Sequence, residues 1–89
     1  MKSFRQMERR VKGYANHRRI EILFLLEKHP ELSLLDIADR LRINFKTASE
    51  HVRRLAIAGL VMKRHDGNSV RHKITDTAES ILKFLRTLE

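Results

Sequence analysis

Apolar residues return every three or four positions along most of this chain, and the rhythm breaks only between Leu60 and Thr75. A return of that length places side chains on one face of a helix. Over 3–14 the face holds Phe4, Met7, Val11 and Tyr14, with Arg5, Arg9, Arg10 and Lys12 elsewhere. A second helix is expected over 17–28, with Ile20, Leu23, Phe24 and Leu26 facing the core. Leu34, Ile37, Ala38 and Leu41 supply the buried stripe of a third. Ala48, Val52, Leu55 and Ala58 supply that of a fourth, over 45–58. Ala78, Ile81, Leu82, Leu85 and Leu88 supply that of a last one, over 77–88.

The residues at the joints agree with these spans. Asn16 is a suitable N-cap for the second helix. Pro30 ends that region, because the residue before a proline avoids the α conformation. Ser33-Leu34-Leu35-Asp36 has the layout of a capping box, with Asp replacing the usual Glu or Gln. Arg42-Ile43 forms a turn, and Asn44 caps the fourth helix. Gly59 supplies a left-handed residue just past its end. Leu60 to Arg64 and Val70 to Thr75 read as strands, joined by the turn chemistry of Asp66-Gly67-Asn68-Ser69. Asp76-Thr77-Ala78-Glu79 is expected to cap the last helix.

The predicted fold is mainly α with a small β-hairpin, in the order α-α-α-α-β-β-α, as one domain over 1–89. Two short helices, a tight turn and a basic hairpin are the parts of a winged helix-turn-helix. That arrangement sets one helix where the DNA major groove accepts it.

Charge sharpens this picture. Lys and Arg number 19 against 11 Asp and Glu, a net charge of +8 that points to a polyanionic partner. The chain has no Cys, so disulfides and thiolate metal sites are excluded. The longest apolar run, Ile22 to Leu26, is too short to span a membrane. The first residues, MKSFRQMERRVKGY, lack the apolar stretch of a signal peptide, so the expected location is cytoplasmic. A basic amphipathic helix at 3–14 can also lie on a membrane surface, but its apolar face is weak for that role.

The fourth helix is the candidate reader. Its first turn and outer face hold Asn44, Phe45, Lys46, Thr47, Ser49, Glu50 and Arg53. Residues near the start of such a helix reach base edges. Lys46 and Arg53 can donate to guanine or to phosphate, and Ser49 suits either. Thr47 and the free N–H groups of the first turn suit a phosphate. Glu50 either accepts from a cytosine amino group or pairs along its own helix with Lys46, Arg53 or Arg54. Phe45 either touches a thymine methyl or braces the turn. The hairpin adds Lys63, Arg64, His65, Asn68, Arg71 and Lys73, with His72 beside them; such a tip enters the minor groove, tracks phosphates or is simply solvated.

Other chemistry lacks parts. His65 and His72 fall diagonally on one hairpin face if Gly67-Asn68 is the turn, but no His and carboxylate cluster shares a helix. No metal or other cofactor is expected. No serine stands in a nucleophile signature, and three glycines build no phosphate loop, so no enzyme is expected. A domain this small buries only about 60–65% of the surface its unfolded chain exposes. The stripes Phe4, Met7, Val11 and Ile81, Leu85, Leu88 are therefore expected to pair across a homodimer.

Asn16-His17-Arg18-Arg19-Ile20-Glu21-Ile22-Leu23, the run LLDIADRLRINFKTASEHVRRLAIAGLV and Ile74-Thr75-Asp76-Thr77-Ala78 resemble the arsenic-repressor (ArsR) and multidrug-resistance-repressor (MarR) superfamily of winged-helix regulators. The likeness covers about two-thirds of the chain. It implies a homodimer joined by the first and last helices, binding a palindromic double-stranded DNA site with two flanking wings. The chain departs from the pattern in three places. Arg42 stands where the family often has Gly; a non-Gly residue in a left-handed turn costs about 1 kcal/mol, so a different turn is expected. Ile57 fills a usually polar position, and the metal-sensing Cys and His motifs are missing. Two functions follow from these readings. One is a dimeric DNA-binding transcriptional regulator. The other is a winged-helix interaction module within a transcription or RNA-processing assembly, which exposed Ile57 and Phe84 would serve.

Overall fold

A computed structural model describes residues 2–89. The elements are α1 (Phe4–Tyr14), α2 (His17–Lys28), α3 (Leu34–Leu41), α4 (Phe45–Ile57), β1 (Val61–Asp66), β2 (Ser69–Ile74) and α5 (Asp76–Arg86). This is the winged helix-turn-helix order the apolar rhythm predicts.

Side-chain caps fix where the helices begin. Asn16 Oδ1 accepts from the N–H groups of Arg18 at 2.9 Å and Arg19 at 3.2 Å. Ser33 and Asp36 form the expected reciprocal box. A second box, Ser3 with Gln6, starts α1 and follows the same three-residue rule. The last helix starts one residue early. Thr75, not Asp76, is its N-cap: Thr75 Oγ1 accepts from Ala78 N–H at 3.2 Å and donates to the Gly59 carbonyl at 2.8 Å. That helix also ends at Arg86, so Leu88 lies beyond it. Contrary to the expected change of turn, Arg42 itself adopts the left-handed conformation, at φ 54. Gly59 is left-handed as expected, at φ 77.

The core is built from Ile22, Leu23 and Leu26 of α2, Ile37 of α3, Val52 and Leu55 of α4, and Leu60, Val61, Ile74, Ala78 and Leu82. Ile22 takes the place expected of Ile20, which is only half-buried. The run from Ile20 to Leu26 is apolar nearly all round, so rhythm alone does not choose its inward face. α1 meets this core only through Tyr14 at its end, and its one buried residue, Gly13, packs on α4. α5 packs on α2.

The hairpin pairs Val61 with Ile74 through to Asp66 with Ser69, leaving Gly67-Asn68 as a two-residue loop. The strands are thus longer toward the tip than the 60–64 and 70–75 expected. Leu32 pairs with His72 on the other edge of β2. Glu31 N–H donates to the His72 carbonyl at 2.9 Å, and His72 N–H donates to the Leu32 carbonyl at 3.0 Å. β2 is therefore held from both sides at its root.

Candidate nucleic-acid interface

α4 is held inward by Ala48, Val52 and Leu55, which are fully or almost fully buried. Helical geometry then turns Lys46, Glu50 and Arg53 outward, and all three are exposed. Ser49 is half-buried at the margin. Asn44 Oδ1 accepts from the N–H groups of Lys46 at 2.7 Å and Thr47 at 3.3 Å. These two first-turn N–H groups, expected to be free for a phosphate, are occupied by the cap. Asn44 acts on the helix start; its carbonyl-type oxygen is engaged there.

Glu50 pairs along its own helix, one of the two expected roles. Its partners are Arg53, with contacts of 3.1 and 2.7 Å, and Arg54, at 3.2 Å; Lys46 makes no such contact. The Arg53 guanidinium holds the Glu50 carboxyl down at about 2, well below its usual value. Exposed ion pairs of this kind are worth only about 0–1 kcal/mol, so their role is in geometry more than stability.

The hairpin register divides the wing residues between two faces. Lys63, His65, Val70 and His72 share one face; Arg64, Arg71 and Lys73 share the other. Lys63, His65 and Asn68 border a groove of about 610 Å³ whose far wall is Leu34, Leu35 and Phe45. Phe45 is half exposed there, between the turn and the wing. His72 is instead a buried root residue. Its Nδ1 lies 2.8 Å from the Leu32 carbonyl oxygen, and burial lowers its pKa.

On the opposite face the arginines are tethered. Arg64 Nη2 donates to the Glu31 carboxylate at 3.2 Å, and Arg71 donates to Asp66 and to the Glu31 carbonyl, each at 3.2 Å. Glu31 holds this position at φ 71. No local pattern points to Glu31, because its partners lie far along the chain. His51, on α4, accepts from Arg19 Nε at 3.2 Å and joins α2 to α4.

The expected dimer residues divide by burial. Phe4, Met7, Val11 and Leu88 are exposed, whereas Ile81 and Leu85 are half-buried against the core. Met7, Val11, Tyr14 and Ile81 line a shallow apolar groove between α1 and α5. Among the described residues no group of three His, Asp or Glu side chains is placed to hold a metal ion, and no helix is long and apolar enough to cross a membrane.

The MarR family model matches residues 15–73, which spans α2 to β2. No curated protein matches the chain. Among solved structures, the winged helix-turn-helix domain Mb0332 from Mycobacterium bovis, a possible ArsR-family transcriptional regulator, is 31% identical. It is covered over 99% of this chain and 86% of its own, with TM-score 0.80. HlyU from Vibrio cholerae is 27% identical over 93% of this chain and 90% of its own, with TM-score 0.81. A MarR transcriptional regulator from Methanosarcina mazei shares the fold at 17% identity, over 88% of this chain and 59% of its own, with TM-score 0.75. The match over well more than half of its residues, on the fold those residues build, makes this chain a member of the MarR family of winged-helix transcriptional regulators.

Proposed function

We propose that the chain is a sequence-specific, double-stranded-DNA-binding transcriptional regulator that acts as a homodimer. In this reading α4 enters the major groove, and the wing from Val61 to Ile74 lies on the flanking backbone or minor groove. The observation that carries it is a capped helix with Lys46, Glu50 and Arg53 exposed on one face, beside a hairpin rich in cations. The reading gives the chain no catalytic role.

The wing arginines fit it despite their tethers. Each exposed ion pair is worth about 0–1 kcal/mol, and a phosphate offers a charge-assisted bond in exchange. The Mycobacterium bovis neighbour is a homodimeric DNA-binding domain, which supports both DNA and a second copy as partners. Here the exposed residues Phe4, Met7 and Val11 of α1, together with Leu88 after α5, are the surface proposed to meet that copy. Ile57, 73% exposed, and Phe84 favour a second reading, a docking module in a larger assembly.

Titrating labelled duplex DNA at about 50 and 200 mM salt separates the two. A dimer that neutralises six to ten phosphates loses about 10³–10⁵ in affinity across that range. Absence of duplex binding at the lower salt overturns the DNA reading and leaves the docking module.

A further inference from the structure

Glu50 and Arg53 stand three residues apart, so their side chains meet on the outer face of α4. Their contact is two-pronged. Arg53 Nε donates to Glu50 Oε2 at 3.1 Å, and Arg53 Nη2 donates to Oε1 at 2.7 Å. Arg54 Nε adds a third donor, to Oε1 at 3.2 Å.

A guanidinium is a planar fork with five N–H donors, and a carboxylate offers about four acceptor positions. Glu50 takes the side edge of Arg53, formed by Nε and one hydrogen of Nη2. The end edge, Nη1 with the other Nη2 hydrogen, has no hydrogen-bond partner among the described residues, and the side chain is 54% exposed. That end edge is a two-donor fork of the kind that matches O6 and N7 of guanine. A long arginine side chain ordinarily loses much rotamer freedom when it presents such a fork. Glu50 restricts that freedom before any ligand arrives. Three of the acceptor positions on Glu50 are filled by cationic donors, which leaves little for a cytosine amino group. The carboxylate stays charged through neutral and mildly acid solution, so it keeps its acceptor character there.

Resting on the reading of α4 as the major-groove helix, we infer that Glu50 is a positioning residue that makes Arg53 selective for guanine. Glu50 itself touches no base. The target site then carries a G·C pair, in one orientation, beneath Arg53 in each half.

The test selects bound duplexes from a randomised pool with the unmutated protein, Arg53→Ala, Glu50→Ala, Glu50→Gln and the double alanine variant. Affinities are then measured for the selected site and its single-pair changes at fixed salt. The unmutated protein is expected to prefer guanine at one position per half-site, by about 5- to 150-fold, the range of a bidentate contact. Arg53→Ala abolishes that preference. Glu50→Ala loses most of it at the same position, and the double variant loses no more than Arg53→Ala alone. Glu50→Gln keeps one neutral acceptor and falls between. Binding of Glu50→Ala to unrelated duplex rises, since a negative charge has left the side facing a polyanion. A helix merely damaged by the substitution binds all duplexes less well, and that result overturns the inference. So does a shift of preference at a different pair, which makes Glu50 itself the reader. Unchanged preference in Glu50→Ala overturns it while leaving DNA reading intact. Failure of the unmutated protein to bind any duplex removes the underlying reading and this inference together.

Discussion

Gly13→Ala tests how closely α1 is fitted to the end of α4. A Cβ added at Gly13 lies 2.3 Å from the Cβ of Ala58. Carbon atoms in contact rest about 3.5–4.0 Å apart, so the two helices must part by more than an ångström. Neither methyl group has a rotamer in which to escape. Alanine is favoured over glycine inside a helix by about 0.5–1 kcal/mol, which works in the other direction. Overpacking a rigid contact costs about 1–3 kcal/mol. The displacement also pulls on Arg19, whose Nη1 donates to the carbonyls of Lys12 and Gly13 at 3.2 Å each. The net expectation is a loss of up to about 2.5 kcal/mol. At about 4–8 °C per kcal/mol for a domain this size, the Tm falls by up to roughly 20 °C. Melts followed by circular dichroism at one fixed protein concentration measure it, since the melting of a dimer depends on concentration. The variant Gly13→Ala/Ala58→Gly moves the methyl group to the other helix and is expected to recover most of the loss. A rise in Tm for Gly13→Ala, or a double variant no better than the single one, refutes the close crossing.

Lys46→Ala is expected to weaken binding of selected duplexes without changing the melt, by about 1–3 kcal/mol if Lys46 contacts a base. Arg64→Ala is expected to weaken all duplexes alike and lower the salt slope by about one; equal loss on every duplex for Lys46, or selective loss for Arg64, contradicts these roles. Val11→Glu places a charge on the exposed face of α1 and is expected to yield folded monomers by light scattering, with weaker duplex binding. It is a cleaner test than Leu85→Glu, because Leu85 packs against the core. A dimer that survives Val11→Glu removes this stripe from the interface. Burial lowers the His72 pKa below 6.5, with Lys63 adding to the effect and the Leu32 carbonyl opposing it. The unfolded chain then takes up a proton that the folded chain resists. Stability is full above about pH 6.5 and declines as the pH falls from there toward the folded-state pKa. His72→Gln is expected to reduce that decline in thermal melts, leaving the part from His51, whose pKa burial also lowers. An equal decline in His72→Gln refutes it.

The segment from Ser33 to Val61 was legible because every signal in it is local. Caps, three-to-four spacing and a terminal glycine all act within a few residues. The same locality explains the errors. Thr75 and Asp76 are neighbouring residues that both cap well, and only the extra bond from Thr75 to Gly59 distinguishes them. Ile20 and Ile22 lie in one apolar run, and tertiary contacts choose between them. The outward face of α4 followed from its inward one, but the clasp of Glu50 by both arginines is one of several pairings that helical spacing permits. The tether from Arg64 to Glu31 spans 33 residues, and the single bridge of Leu32 with His72 is too short to show an alternation. The division of the wing cations into two faces awaited the register.

The hairpin is clamped at one end and bare at the other. At its root, His72 is gripped on both edges of β2; at its tip, a Cβ on Gly67 would meet nothing within 4 Å. Mechanically this is a cantilever. Load applied at the tip bends the two strands, while the helices that share the root stay in place. Stiffness thus sits where the orientation of α4 depends on it, and compliance sits at the far end. Length is also unconstrained there. Each residue added to both strands extends the hairpin by about 3.3 Å without displacing a packed atom. Reach can therefore change from one member of such a family to another while the core stays the same.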